Sequence, residues 1–118
     1  MRSSQASRWV KHLDLLDEMI SHLEQKKSSP EILSQLKVFR ASILDMLNEY
    51  SITAYTYAPG TVVDLAARKR IQIVETSPSP SDVTKIIETF RPGYVCDNGQ
   101  LGMTTLLRKA EVAISTPS

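Results

Sequence analysis

Apolar residues return at steps of four and three along the first part of the chain: Trp9, Leu13, Leu16, Ile20 and Leu23, with Leu15 and Met19 widening the stripe. That rhythm marks one face of a helix, of the coiled-coil type. Ser28-Ser29-Pro30-Glu31 reads as a stop and a restart, because a serine cap before a proline at the first helical position starts helices well. A second helix follows. It carries Ile32, Leu36, Phe39, Ile43, Met46 and Tyr50 on the same rhythm, with Leu33, Leu44 and Leu47 beside them. The connection from Gln25 to Ser29 is short, so the helices are predicted to be antiparallel neighbours. Two helices meet along one line, and both stripes are broader than that. Either the rest of the chain covers the surplus, or a second copy does so in a four-helix bundle.

After Tyr50 the period changes. Ile52 to Tyr57 is rich in β-branched and aromatic residues and predicts a strand. Ala58-Pro59-Gly60 is a turn, and Thr61-Val62-Val63 a short extended piece. Arg70 to Glu75 alternates as a strand does. Ser77-Pro78-Ser79-Pro80-Ser81 predicts a loop. Val83 to Phe90 fits a helical face and a strand equally well. Asp97-Asn98-Gly99 predicts a tight turn, and Thr104 to Ser115 a closing strand. The sum is an α+β chain, with a helical region over residues 1–50 and a small all-β domain over 51–118.

Composition narrows the function classes. The chain has 118 residues, 14 of them basic and 13 acidic, which gives no general pull toward nucleic acid or an anionic membrane. A single cysteine, Cys96, excludes an internal disulfide and fits a reducing compartment. No apolar run approaches the roughly 20 residues that span a bilayer. Met1 to Lys11 lacks the apolar core of a secretory signal, so a soluble cytoplasmic protein is expected.

No catalytic grouping stands out, and neither an enzyme nor a cofactor is expected. His12 and His22 do not share a helical face at ligand spacing, and read as solvated. Cys96 has no second thiol or histidine near it in sequence, which argues against a metal site. Asp14, Asp17 and Glu18 read as the wet side of a helix. Arg68-Lys69-Arg70 is the most charged run. It reads either as a β-edge protected by charge or as a patch for a partner. As a nucleic-acid signal it is weak, being short and without interleaved aromatics.

The end of the chain carries the most specific pattern: Arg91-Pro92-Gly93-Tyr94, then Leu107-Arg108-Lys109-Ala110-Glu111-Val112. It resembles the closing signature of the GrpE family of nucleotide-exchange factors, a Gly-Tyr pair followed by Leu-Arg-x-Ala-x-Val. The likeness extends over nearly the whole chain. Leu13 to Leu23 is similar to the family's first bundle helix and Phe39 to Tyr50 to its second, with Ser51 where the family has glycine. Gly60-Thr61-Val62-Val63-Asp64-Leu65 is similar to its Gly-x-x-Phe-Asp-Pro, with valine and leucine replacing phenylalanine and proline. Arg68-Lys69-Arg70-Ile71 stands where His-Glu-Ala-Val is usual.

The resemblance implies a short, divergent stress-response co-chaperone without the long N-terminal stalk, a homodimer whose helices form a four-helix bundle. Leu13, Leu16, Ile20, Leu36, Phe39 and Ile43 would line the dimer seam. The β domain would wedge against the nucleotide-binding domain of a DnaK-type chaperone and promote ADP release. Arg108 would be its charged anchor, and Val63 and Leu65 its apolar contacts, with Ser51, Arg68 and Lys69 also at the partner. The resemblance also favours a strand for Val83 to Phe90. A dimeric adaptor that keeps the fold and lacks exchange activity is the alternative.

Overall fold

A computed structural model describes residues 1–27, 29–97 and 104–118. The chain divides into two compact units, Met1–Thr53 and Ala54–Ser118. Long helices come first and a β-sheet unit follows, the α+β order that the periodicity predicts.

The first unit is a helical hairpin of α1 (Ser3–Lys26) and α2 (Pro30–Glu49). At the start of α1 the Arg2 amide donates to the Gln5 side-chain oxygen at 3.1 Å, satisfying one of the donors a helix start leaves free. The buried face of α1 is Ala6, Val10, Leu13, Leu16 and Ile20. Val10 therefore takes the seam position that the pattern gives to Trp9, and Trp9 lies half-buried with its ring edge-on to His12. Across the hairpin Ile43 and Leu47 are buried. Arg40 donates to Asp17 at 2.5 Å, and Lys37 pairs with Glu24 at 3.2 Å. Residue numbers rise on one helix as they fall on the other, as an antiparallel pair requires.

Ser29 does cap α2, but through its backbone. It sits at φ 55, its hydroxyl makes no capping bond, and its carbonyl accepts the Leu33 amide at 3.1 Å. The three-residue connection forces this left-handed turn. Ser28, the other serine of the predicted restart, lies outside the described residues.

Two three-stranded sheets follow the hairpin in the chain. One has the order β1-β4-β5, from β1 (Ile52–Tyr55), β4 (Gly93–Asp97) and β5 (Thr104–Arg108). The other has the order β2-β6-β3, from β2 (Ile71–Ser79), β6 (Ala110–Pro117) and β3 (Lys85–Arg91). β6 runs parallel to β2 and antiparallel to β3. Its central place explains its composition: Ala110, Val112, Ala113 and Ile114 are all buried, on both faces. Ala110, Val112 and Ile114, with Ile71 and Ile86, make the core, against which Tyr55, Tyr57 and Val63 pack.

Several expectations change here. Lys85 to Phe90 lies in strand β3, as the resemblance favours, with Val83 and Thr84 ahead of the strand. Ser77-Pro78-Ser79 is not loop but the end of β2. Proline is tolerated because β2 is an edge strand, and the Ser118 amide bonds the Ser79 carbonyl, which turns Pro78 away from β6. The single closing strand is two strands in different sheets, broken at Lys109. A helical turn, α3 (Leu65–Arg68), appears where no helix is predicted. The predicted Asn98-Gly99 turn lies outside the described residues.

Candidate functional site

Two arrangements in the β unit hold the residues that the sequence singles out. The first is α3 and its lead-in. Gly60 sits at φ +90, where a side chain would be strained, and its amide donates to the Ile86 carbonyl at 2.7 Å. Thr61 and Val63 then run along β3, with the Val63 amide on the Thr84 carbonyl at 2.9 Å. Asp64 caps α3: its carboxylate accepts the Ala67 amide at 2.7 Å. The Gly60…Asp64 spacing thus has a mechanical reading, a turn followed by a cap.

The cap sets what the turn displays. Leu65 is 81% exposed, the most open large apolar side chain described. Arg68 and Lys69 follow at three and four residues, so they share its face, and both are exposed. The turn thus displays an apolar tip beside two cations. Val63 does not belong to that display, since its side chain packs on the core.

The second arrangement is a joint between the sheets, built on the Gly93-Tyr94 pair. A Cβ at Gly93 would run into the Tyr55 ring, so glycine is needed for Tyr55 to lie there. Tyr55 stands edge-on to Tyr57, with centroids 5.8 Å apart. Its hydroxyl donates to the Arg70 carbonyl at 2.5 Å, and the Arg108 carbonyl lies 3.5 Å away. The Ala110 amide reaches the same Arg70 carbonyl at 3.0 Å. Burial pushes the Tyr55 hydroxyl above its ordinary pKa, only partly opposed by the Ala110 backbone.

Arg108 is at the end of β5. Its Nη2 donates to the Pro92 carbonyl at 2.7 Å, and its guanidinium carbon lies 5.3 Å from the centroid of the fully buried Tyr94 ring. The chain therefore gives Arg108 an internal task. Glu111, a conceivable partner for it, pairs instead with Arg91 at 3.6 Å. The structure brings Arg108 and the Arg68–Arg70 run together through backbone, at the Tyr55 hydroxyl. Tyr55 itself escapes sequence reasoning, because nothing in Ile52 to Tyr57 says which aromatic ring meets Gly93.

Ser51 is in the helical unit, exposed, at φ 61, with its amide on the Asn48 carbonyl at 3.0 Å. This left-handed position after a helix suits glycine, the residue that the resemblance places there. Of the expected seam residues, Leu13, Leu16, Ile20 and Ile43 are buried within one chain, Leu36 is half-buried, and Phe39 is 55% exposed. Leu15, Met19, Ile32, Val38 and Tyr50 are exposed with it.

Among the described residues no three of His, Cys, Asp and Glu gather as metal ligands. No helix described is long and apolar enough to cross a membrane. The GrpE family model matches residues 2–116. No individual curated protein sequence matches the chain.

Proposed function

Since the chain belongs to the GrpE family, whose members are co-chaperones in nucleotide exchange, we propose that it is a homodimeric exchange factor that promotes ADP release from a DnaK-type chaperone. The observation that carries this reading is the family match from residue 2 to 116, which takes in both the hairpin and the β unit. Two exposed surfaces support it, one for each half of the task.

The α3 turn is the proposed contact with the chaperone. Leu65 enters an apolar recess of the nucleotide-binding domain, and Arg68 and Lys69 engage carboxylates around it. Exchange then needs no residue at the nucleotide. A factor that binds the open domain better than the closed, ADP-filled one shifts the equilibrium toward opening by that difference in affinity. A rigid mount is required, and the joint of Tyr55, Gly93 and Arg108 provides it. Arg108 acts as the brace of that mount rather than as its outward anchor.

The hairpin is the proposed dimer contact. Its inner seam is filled within one chain, and Phe39, Ile32, Leu15 and Met19 remain open. A second hairpin covers such a surface in a four-helix bundle.

The test is release of fluorescent ADP from the cognate DnaK-type chaperone. The wild-type protein accelerates release, and Leu65→Asp with Lys69→Glu does not. Wild-type protein that binds the chaperone without accelerating release would make it an adaptor and overturn the exchange reading.

A further inference from the structure

The sheet β2-β6-β3 has two edges, and the chain treats them differently. The outer side of β3 is occupied: Gly60 and Val63 donate to the Ile86 and Thr84 carbonyls, and the Ile86 amide donates to Thr61. The outer side of β2 is open, since among the described residues only β6 pairs with this nine-residue strand.

The register fixes which groups face out. Ile71 pairs with Ala110, and the Ala110 amide bonds the Arg70 carbonyl. The amide and carbonyl of Ile71 therefore point away from β6, although Ile71 is itself buried, and the strand period turns those of the exposed Ile73 the same way. Ile73 and Val74, at the bulge in β2, are each 48% exposed. The strand begins directly after Arg68, Lys69 and Arg70. All three are exposed, and among the described residues none has a carboxylate partner.

We propose that the outer edge of β2 takes an extended peptide segment of a partner protein as an added strand. The segment carries apolar residues at alternate positions, against Ile73 and Val74, and acidic residues at the end that meets Arg68, Lys69 and Arg70. Backbone bonds to the open edge give affinity, and the charges set the register. A second copy of the chain is a poor occupant. Parallel pairing of two β2 edges would set the basic runs against each other. Antiparallel pairing would set each basic run against Ser77-Pro78-Ser79, which has no acid and lacks one amide hydrogen. This site extends the basic run to a strand edge and does not depend on the chaperone reading.

The probes are two fluorescein-labelled decapeptides of alternating valine and threonine, one with two glutamates at its N-terminus and one with them at its C-terminus. Binding to the full-length protein is followed by anisotropy. One of the two is expected to saturate below about 1 mM. Replacing its glutamates by lysines, or reversing the protein with Arg68→Glu and Lys69→Glu, is expected to weaken binding about tenfold. Combining the two reversals restores it. Methylating alternate backbone nitrogens of the peptide, which leaves the protein untouched, abolishes binding. Failure of both acidic peptides to bind, or equal binding of the methylated peptide, overturns the proposal. So does self-association of the protein that the peptides compete away, because the edge then belongs to a second copy.

Discussion

The helical hairpin and the β unit use their most recognisable residues in opposite ways. In the hairpin the four-three stripe is wider than one seam, so part of it closes the chain on itself and part stays open. Leu13 is fully buried on α1, whereas Phe39 on α2 is 55% exposed. The pattern that folds the hairpin also leaves apolar residues exposed on it. In the β unit the signature residues are spent inside. Gly93 makes room for Tyr55, Tyr94 lies under Arg108, and Ala110 is buried in the central strand. The α3 turn, by contrast, keeps Leu65, Arg68 and Lys69 exposed. A residue that marks a family can therefore serve inside the fold rather than at its surface.

Substitutions sharpen this contrast, beginning with the largest effect. Leu13→Asp places a carboxylate in the closed seam and should cost about 4 kcal/mol or more, melting the helices by circular dichroism. Phe39→Asp sits on the open stripe and should change single-chain stability by no more than about 0.5 kcal/mol. It should instead reduce the mass seen by light scattering from two chains to one. Helices that survive Leu13→Asp, or a Phe39→Asp protein that stays dimeric, would erase the distinction between the two stripes.

Gly93→Ala comes next. The added methyl meets a ring that is packed on the core and hydrogen-bonded at its tip, so overpacking should cost about 2–3 kcal/mol. A β unit that melts at the wild-type temperature would mean that the Tyr55 ring swings aside freely. Arg108→Ala removes a bond to a backbone carbonyl and a cation over an aromatic face, together about 1–2 kcal/mol. Ser51→Gly relieves a left-handed serine and should raise stability by roughly 0.5–1 kcal/mol, read as a higher denaturant midpoint.

Much of the fold is legible in the sequence because its signals are local. The hairpin follows from a period and a proline, and α3 could have been foreseen from Asp64, a cap residue three before an alanine amide. What escapes is set by distance along the chain. Lys109 breaks the last strand in two because the residues before it pair with β4 and those after it with β2 and β3. Propensity in Thr104 to Ser115 carries no trace of that change of partner. The prolines of Ser77 to Ser81 read as a loop because a sequence does not say which strand is an edge. For the site, Leu65, Arg68 and Lys69 are visible as types, while their shared face needs α3 to exist. Arg108 is visible as a signature residue, but its inward task depends on Pro92 and Tyr94, sixteen and fourteen residues earlier.

The claim that the signature braces and the α3 turn docks is tested most directly on one pair of variants, Arg108→Ala and Leu65→Asp. Thermal unfolding, and stimulation of fluorescent-ADP release from the chaperone, are measured on both. Arg108→Ala should lower the melting temperature while the folded protein, assayed well below it, keeps most of its exchange activity. Leu65→Asp should melt like the wild type and lose stimulation of ADP release. The reverse pattern, with Arg108→Ala fully stable but inactive and Leu65→Asp active, would contradict the account and return Arg108 to the contact with the partner.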